Sequence, residues 1–288
     1  MNCSICPRKC NIDRNIKTGY CNAPSAFKLA RAALHYWEEP CISGNSGSAA
    51  VFFSGCNMRC VFCQNYEISR ECKGVEISDE RLVEIFEDLI NQGANNINLV
   101  NPTHYADRLA SVLKGWKSPV PIVYNSSGYE NTEMLKKFEG LIDIYLPDLK
   151  YSRADKAKRY SNAEDYFDTA KSAILEMRRQ VNDVFDGGLM KKGLIIRHLI
   201  LPQNTNSSLE IIDWISENLP DTYISLMAQY VPCGNLDNFN EINRTITKRE
   251  YEKVVNYAVD KGIKNVFIQE LSSAQAKFIP KFDFTGVI

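Results

Sequence analysis

Three cysteines lie close together in the segment GCNMRCVFCQN, which directly follows an apolar stretch of the chain. Cys56, Cys60 and Cys63 could hold three irons of a 4Fe–4S cubane and leave the fourth iron open for a substrate. Structural zinc normally takes four protein ligands, and the nearest further candidate, Cys72, lies nine residues beyond Cys63. The spacing therefore predicts a catalytic cluster with one open position, and a zinc knuckle or free thiols are the alternatives.

Four more cysteines occur near the N-terminus, namely Cys3, Cys6, Cys10 and Cys21. Four thiolates are a complete ligand set for one metal centre. They predict either a second iron–sulfur cluster or a structural zinc, and their spacing does not decide between the two. Residues 1–45 show little periodicity, so a bound metal would supply much of their order. We interpret them as a small Cys-rich metal-binding module.

Composition restricts the class of protein and its surroundings. The chain has 288 residues, with 34 basic and 35 acidic side chains and a net charge of −1, which gives no electrostatic reason to expect a nucleic-acid or membrane partner. No apolar run reaches the roughly 18 residues of a membrane span, and the N-terminus lacks the apolar core of a signal peptide. Ten cysteines, seven of them clustered, are typical of metal binding in a reducing compartment, so we expect a cytoplasmic protein.

The elements that must position these cysteines alternate along the chain. Apolar runs predict strands at 49–55, 96–100, 121–126, 141–150, 193–202, 222–230 and 264–270. Amphipathic patterns predict helices at 78–92, 104–115, 131–139, 162–183, 207–218 and 247–261. Ser78 is the predicted N-cap of the first helix, and Gly187 and Gly188 are expected to close the fourth. The alternation predicts an α/β protein with parallel strands, in a closed or incomplete barrel or a doubly wound sheet, and a site where the strands end.

The Cys-x3-Cys-x2-Cys spacing resembles the defining motif of the radical S-adenosylmethionine (SAM) superfamily, and Phe62 occupies the aromatic position that lies beside the SAM adenine in that family. The wider segment resembles the glycyl-radical-enzyme activases, such as pyruvate formate-lyase activating enzyme, and especially their uncharacterised relatives with a Cys-rich N-terminus. The resemblance covers roughly residues 48–235. It implies an incomplete parallel (β/α)6 TIM-like barrel over 46–235, after the 1–45 module and before a C-terminal helix, strand and tail over 236–288.

After the second strand the activases usually carry a Gly-Gly-Glu segment that meets the SAM amino group. The corresponding segment of this chain, at 101–104, reads Asn-Pro-Thr-His. The resemblance therefore implies that Asn101 and Thr103 supply the polar contacts at this position, without a carboxylate. The alternative is a plain turn from strand to helix, with Thr103 as the helix N-cap.

Polar residues at the ends of later strands match the activases as well. Asn125 and Ser127 lie in a segment that resembles Asp-Thr-Asn-Gly, and Asp148 and Lys150 lie in one that resembles Asp-Leu-Lys. Arg197 interrupts an apolar strand, where an unpaired charge is costly, and the similar activase strand has an arginine that reaches SAM. The resemblance implies that these side chains contact SAM or a nearby cation; the alternative for Asp148 and Lys150 is a surface ion pair.

Other polar residues near the strand ends have weaker indications. Gln229 closes the sixth predicted strand, where the activases have Pro-Tyr-His, so the resemblance implies a SAM contact. We expect His198 to be a structural histidine and Cys233 to be an inert thiol, with hydrogen-atom donation or metal ligation as the alternative for Cys233. His35 and Glu39 lie between the two cysteine groups, where packing is the default role and substrate contact the alternative.

The chemistry that the resemblance implies is reductive cleavage of SAM at a 4Fe–4S cluster, which gives a 5′-deoxyadenosyl radical that abstracts a hydrogen atom. By analogy with the activases the substrate is a protein, through a backbone glycine of a partner enzyme, and modification of a small molecule or peptide is the alternative. We expect a low-potential electron donor such as flavodoxin or ferredoxin. The rival class is a non-catalytic iron–sulfur or zinc protein, which would need no ring of polar residues at the strand ends.

Overall fold

One sheet organises the molecule, and the computed structural model describes it over residues 3–269, 271 and 280–288. The strands in chain order are β1 Phe27–His35, β2 Ser48–Phe53, β3 Val75–Ile77, β4 Ile97–Val100, β5 Ile122–Ser126, β6 Ile144–Pro147, β7 Val184–Asp186, β8 Leu189–Leu199, β9 Tyr223–Met227 and β10 Val266–Ile268. The α-helices are α1 Pro40–Ser43, α2 Tyr66–Ser69, α3 Asp79–Asn91, α4 Ala106–Gly115, α5 Thr132–Leu135, α6 Ala154–Ser161, α7 Tyr166–Gln180, α8 Thr205–Asn218 and α9 Lys248–Asp260.

Within the described residues the strands follow the order β10-β9-β8-β6-β5-β4-β2-β1-β3. Every neighbouring pair from β10 to β2 is parallel. The exceptions are β1, which runs antiparallel to β2 and β3, and β7, which forms an antiparallel hairpin with β8. The predicted α/β architecture with a parallel sheet is confirmed, and the order is that of an incomplete barrel with β10 and β3 at its ends.

Local sequence explains where the helices begin. The Ser78 hydroxyl accepts a hydrogen bond from the Arg81 backbone N–H at 3.1 Å, which confirms the predicted N-cap of α3. Thr247 and Glu250 form a reciprocal capping box at the start of α9. Each of these caps satisfies backbone donors that the first helical turn leaves unpaired.

The prediction for the segment between β6 and β8 was partly wrong. The helix expected over 162–183 is α7, Tyr166–Gln180, and a second helix, α6, precedes it. Gly187 and Gly188 do not close a helix but form the turn between β7 and β8, with φ angles of +56° and +81° that suit glycine in a hairpin. Because Val184–Asp186 pairs with β8, that segment is unavailable to the helix.

Strand β1 is the largest feature that the sequence did not predict. Its sequence, FKLARAALH, is rich in alanine, which favours helix in isolation, but its backbone pairs with β2 on one side and β3 on the other. The segment 280–288 extends this cover, because the Phe284 N–H donates to the Ala30 carbonyl at 3.1 Å and the Ala32 N–H donates to the Thr285 carbonyl at 2.9 Å. Residues 27–35 of the predicted 1–45 module therefore belong to the main sheet.

The last predicted strand, 264–270, is observed as β10, Val266–Ile268, and residue 270 lies outside the described residues. Buried apolar side chains of the sheet and of the surrounding helices form one main core, which includes the cysteine-bearing loop after β2. Among the described residues no helix is long and apolar enough to cross a membrane.

Candidate functional site

The loop that follows β2 is fixed by backbone contacts at its start. Gly55 has a φ of +93°, and a Cβ at this position would lie 2.8 Å from both the Cys21 carbonyl oxygen and the Ala23 Cβ. The Gly55 N–H donates to the Ile68 carbonyl at 2.7 Å, and the Cys56 N–H donates to the Cys21 carbonyl at 3.1 Å. Glycine is therefore required where the loop leaves the strand, and the loop touches the N-terminal cysteine segment directly.

Cys56, Cys60 and Cys63 line one cavity of about 220 Å³ at the carboxyl ends of the parallel strands. Burial, with smaller contributions from the neighbouring Cys60 and Cys63, raises the pKa of Cys56 to about 12. Burial raises the pKa of Cys63 as well, and Lys150 opposes this. Such thiols become thiolates only when a strong cation is bound, and metal ligation supplies that.

Two hydrogen bonds are directed at these sulfurs. The Met58 N–H donates to the Cys56 Sγ at 3.3 Å, and the Ser161 hydroxyl donates to the Cys60 Sγ at 3.0 Å. Donors of this kind stabilise anionic sulfur and tune the potential of iron–sulfur clusters. Three cysteines on the lining of one cavity, two of which accept a hydrogen bond at the sulfur, fit a 4Fe–4S cluster with one free iron.

Phe62 lies on the cavity wall between two tyrosines. Its ring centroid is 5.7 Å from that of Tyr230 and 6.3 Å from that of Tyr160, and both contacts are edge-on. The Val61 N–H donates to the Tyr160 carbonyl at 2.9 Å, which fixes the loop beside α6. The aromatic residue that the sequence singled out therefore presents a rigid apolar surface to the cavity.

A buried ionic network also contributes to the lining of this cavity. Arg197 Nε lies 3.0 Å from Asp148 Oδ1, its NH1 lies 3.2 Å from Glu38 Oε2, and Lys150 Nζ pairs with Asp148 Oδ2. These four side chains are only 12–16% exposed. The interpretation of Asp148 and Lys150 as a surface ion pair is therefore wrong.

The network determines the charges at the wall. Burial alone would raise the pKa of Asp148, but Lys150 and Arg197 outweigh it and hold that pKa below its usual value. Burial would lower the pKa of Lys150, but Asp148 holds that pKa above its usual value. Arg197 also donates from NH2 to Asn125 Oδ1 at 2.6 Å. Lys150 and Arg197 therefore stay protonated, and their N–H groups can donate to an anionic group such as a carboxylate.

The cavity brings together every residue expected to bind SAM except one. Its lining includes Phe62, Asn101, Asn125, Ser127, Asp148, Lys150, Arg197 and Gln229 together with the three cysteines. The Asn101 side chain donates to the Gly55 carbonyl at 2.7 Å and so supports the cysteine loop. The Ser127 Oγ and Asn65 Oδ1 atoms are buried on this lining without a hydrogen-bond partner in the described residues, which fits a polar ligand.

Thr103 does not line this cavity. Its buried hydroxyl donates to Glu130 Oε1 at 2.6 Å, and helix α4 has Tyr105 rather than Thr103 at its N-cap, so the N-cap interpretation is wrong. Glu130, which the sequence analysis missed, is buried, and burial raises its pKa to about 7. A carboxyl group is therefore bonded to segment 101–104, which corresponds to Gly-Gly-Glu of the activases. This carboxyl group belongs to a residue that follows β5.

The remaining residues near the strand ends lie in different environments. His198 has both ring nitrogens bonded, to the Leu149 carbonyl at 2.7 Å and to the Ser208 hydroxyl at 2.8 Å, which confirms its structural role. Cys233 lies on a different cavity, next to Cys63 and Gln64. Glu38 is also part of the ionic network. No site role was predicted for it, because its only sequence signal is a pair of acids before Pro40.

The N-terminal cysteines form a second group. Burial, with smaller contributions from Cys21 and Cys10, raises the pKa of Cys6 to about 12, and burial together with Cys10 also raises the pKa of Cys21. Cys3 also raises the pKa of Cys21. The Tyr20 N–H donates to the Cys10 Sγ at 3.4 Å. Among the described residues no three His, Cys, Asp or Glu side chains converge on a single point suited to one metal ion.

Arg8 connects this segment to the cysteine loop. Its Nε donates to the Asn57 carbonyl at 2.7 Å, its NH2 donates to the Ser161 carbonyl at 2.9 Å, and its NH1 bonds the Asn162 carbonyl. Asn57 follows Cys56 directly, and Ser161 is the residue that donates to Cys60. One guanidinium therefore links the two cysteine groups.

The fold and this site define a known class. A model of the radical SAM superfamily matches residues 50–215, more than half of the 288-residue chain and the part that contains the cysteine loop. The chain belongs to the radical SAM superfamily. Membership indicates an enzyme and implies a 4Fe–4S cluster and SAM, for which the three thiols and the lined cavity provide fitting residues.

In sequence the chain is similar to the uncharacterized protein MJ0674 of Methanocaldococcus jannaschii, with 29% identity over 269 residues, 89% of this chain and 74% of that protein. In fold it is similar to methylornithine synthase (PylB), with a TM-score of 0.52 and 15% identity over 74% of this chain and 60% of that one. Streptococcus suis SuiB bound to S-adenosylmethionine gives a TM-score of 0.47 and 14% identity over 77% of this chain and 47% of SuiB.

The chain thus spans less than two thirds of the length of the two solved structures. At 15% identity the likeness to methylornithine synthase concerns the fold alone. None of these three proteins bears the name of a glycyl-radical-enzyme activase. The activase type therefore stays a prediction from the sequence motif.

Proposed function

We propose that this protein cleaves SAM reductively at a 4Fe–4S cluster bound by Cys56, Cys60 and Cys63 and uses the product to abstract a hydrogen atom from a substrate. The observation that carries the proposal is the cavity itself. Its lining combines three thiols that interact electrostatically with one another and a buried ionic network with two cations, in a chain of this superfamily.

A cluster held by Cys56, Cys60 and Cys63 would supply the one electron needed to split bound SAM into methionine and a 5′-deoxyadenosyl radical, and hydrogen-atom transfer from the substrate would then give 5′-deoxyadenosine and a substrate radical. The electron must come from a low-potential donor of the flavodoxin or ferredoxin class. No nucleic-acid or membrane partner is part of the proposal. Because the thiol ligands must stay reduced, we place the protein in the cytoplasm.

The chain's own residues bind and orient the reactants. Lys150 and Arg197 provide the positive charge for the methionine carboxylate, and Asp148 holds both cations in position. Phe62 and Gln229 lie on the same lining and fit the adenine end. The Ser161 hydroxyl keeps Cys60 oriented through its 3.0 Å bond to the sulfur. The buried apolar rings of Phe62 and Tyr230 exclude water from the site.

Anaerobic reconstitution with iron and sulfide, followed by dithionite and SAM, tests the proposal. Wild-type protein should release 5′-deoxyadenosine, and a Cys60→Ala protein should release none, because a cluster needs all three ligands. Cys72→Ala is the matched control: Cys72 is also buried but does not line the cavity, so this variant should retain activity. A reducible cluster without SAM cleavage would instead identify an electron carrier.

Activation of a glycyl-radical enzyme is the finer form of this proposal, and the resemblance of the cysteine segment to the activases supports it. Mixing the reconstituted protein and SAM with a glycyl-radical enzyme from the same genome should then produce the glycyl radical signal in an electron paramagnetic resonance spectrum. Failure with every such enzyme in the genome would leave a small molecule or a peptide as the substrate.

We further propose that Cys3, Cys6, Cys10 and Cys21 bind a second metal centre, an iron–sulfur cluster or a zinc ion. The mutual electrostatic influence of these thiols and the N–H donor at Cys10 support it. Metal analysis of a variant without the three cluster cysteines of the barrel separates the two forms. About four irons per chain would indicate a cubane and one zinc would indicate a structural ion; no bound metal would refute the centre.

A further inference from the structure

A second and larger cavity adjoins the one that contains the cluster cysteines. It has a volume of about 840 Å³ and shares Asn125, Arg197 and Gln229 with the first cavity. Its own lining comes from the connection between β1 and α1, which includes Glu39, and from Ser225 on β9. A molecule in this cavity would lie next to a ligand in the first one, as transfer of a hydrogen atom requires.

Glu39 is the unusual residue of this lining. It is only 7% exposed, and its Oε2 atom has no hydrogen-bond partner in the described residues. Ser225 lines the same cavity and lowers the pKa of this carboxyl, and its Oγ atom is also without a hydrogen-bond partner in the part of the chain that the structure describes. A buried carboxyl oxygen that stays unpaired costs free energy, and native structures keep such atoms where a water, an ion or another bound group pairs with them or where they have a functional role.

The charges around Glu39 are unbalanced. Three carboxyl groups, Glu38, Glu39 and Asp148, lie in the same buried region as the two cations Lys150 and Arg197. Arg197 is bonded to Asp148 and Glu38, and Lys150 is bonded to Asp148. Burial raises the pKa of Glu39 and Arg197 opposes this, but Arg197 is already bonded to two other carboxylates. One more positive charge in the cavity would complete the pairing.

Two aromatic side chains make the opening of this cavity suitable for a cation. Tyr36 and Trp37 line it and are 51% and 66% exposed, so they lie where the cavity meets solvent. Aromatic faces attract ammonium groups. The lining therefore offers an aromatic entrance and a carboxyl group in its interior, which is a recognition pattern for a protonated amine.

We propose that the second cavity binds the substrate and that Glu39 pairs with a protonated amino group of it. This inference rests on the proposed function, because it assigns the substrate of the same site. The amine is carried either by a free small molecule or by a lysine side chain of a peptide. Glu39 is a positioning residue that sets which hydrogen of the substrate faces the first cavity.

Binding to the reconstituted protein with SAM and without reductant tests this assignment by calorimetry. Hexylammonium and 1-hexanol are the matched small probes; a short lysine-containing peptide and the same peptide with Nε-acetylated lysine are the matched peptide probes. In at least one pair the ammonium form should bind about tenfold or more tightly than its neutral partner. The pair that shows the preference identifies the source of the amine.

Glu39→Gln should remove this preference, and Glu84→Gln, on the exposed face of α3, should keep it. The midpoint of thermal unfolding of Glu39→Gln without probe should equal or exceed that of wild type, because the change removes an unpaired buried charge. A purely structural Glu39 would instead lower that midpoint and leave the preference intact.

Three results would overturn the inference: no preference for ammonium in either pair, an unchanged preference in Glu39→Gln, or weaker SAM binding as the main effect of Glu39→Gln. The last result would assign Glu39 to the SAM-binding site instead. Failure of the proposed function has a separate sign, which is wild-type protein that forms no 5′-deoxyadenosine while the binding comparison still holds.

Discussion

The two cysteine groups touch through one backbone hydrogen bond, from the Cys56 N–H to the Cys21 carbonyl, yet they are held in different ways. The group after β2 lies on a loop at the ends of parallel strands, and its position follows from the fold. The N-terminal group lies in residues 3–26, which contain no helix or strand. Arg8 attaches this segment to the barrel through the Asn57 and Ser161 carbonyls, and Arg14 does so through the His104 carbonyl. The fold thus preorganises one group, whereas the other depends on its ligand and on two side chains.

Metal removal should show the largest difference between the two groups. Structural metal sites can contribute about 10 kcal/mol or more to the order of a small segment. After chelation, the amides of Cys3 and Asn11, which bond the Ile12 and Cys3 carbonyls, should exchange hydrogen rapidly, whereas the amides of β4 and β5 should stay protected. Hydrogen exchange measured by mass spectrometry checks this. Equal protection of residues 3–26 with and without metal would contradict the comparison.

Gly55→Ala should have the next largest effect, because it acts where the two groups meet. The new Cβ would lie 2.8 Å from the Cys21 carbonyl oxygen, and the positive φ adds strain, so we expect a loss of about 3 kcal/mol or more and a lower iron content.

Gly93→Ala is the matched control for this change. Gly93 has the same φ of +93°, and a Cβ there meets nothing within 4 Å, so only backbone strain of about 1 kcal/mol should remain. Anaerobic urea unfolding measures both variants. If the two lose the same stability, close contact between the cysteine segments is not what requires glycine at position 55.

Acid should destabilise the barrel that carries the first cysteine group, through two buried histidines. Burial lowers the pKa of His104, whose Nε2 contacts the Ser54 carbonyl before the cysteine loop, to about 3, and that of His198 in β8 to about 4. Unfolded histidine titrates near 6.5, so below that pH the unfolded chain binds protons that the folded chain does not. Stability is therefore complete above pH 6.5 and falls as the pH falls towards the folded values.

The expected loss at about pH 5 is about 2 kcal/mol per histidine. Urea unfolding at about pH 7 and about pH 5 should show a smaller loss in His198→Gln than in wild type by that amount. The difference between variant and wild type cancels the contribution of the cysteine ligands. An unchanged loss in the variant would mean that His198 is not held neutral by burial.

Arg8→Met should have the smallest effect on stability but a specific effect on the cluster. Loss of its bonds to the Asn57 and Ser161 carbonyls should cost about 1–2 kcal/mol, slow 5′-deoxyadenosine formation severalfold and alter the cluster's electron paramagnetic resonance spectrum. Arg14→Met is the control, since Arg14 bonds the Ala23, Pro24 and His104 carbonyls, outside the loop. Equal changes in both spectra would argue against a direct link through Arg8.

The features that were predicted correctly from the sequence depend on residues that lie close together in the chain. The cluster cysteines lie within eight positions of one another, and Asp148 and Lys150 are two residues apart at the end of β6, so their proximity follows from local geometry. The apolar runs of the parallel strands were also recognisable, because both faces of such strands are buried.

The features that could not be predicted from the sequence depend on contacts between residues that are far apart in the chain. Glu38 meets Arg197 across 159 positions, and nothing in the two local sequences indicates that contact. Strand β1 takes its conformation from β2 and β3 against the helical preference of its alanines. Thr103 shows the same limit, because its partner Glu130 belongs to the segment after β5.

The C-terminal segment 280–288 has a consequence for synthesis of the chain. The backbone of this segment completes the hydrogen bonding of Ala30 and Ala32 in β1. Strand β1 is synthesised early, so it lacks these partners until residues more than two hundred positions later have been synthesised. Until they emerge from the ribosome, that edge of the nascent sheet has unpaired donors and acceptors that could join another chain. Truncation before residue 280 should therefore favour aggregation of freshly made protein.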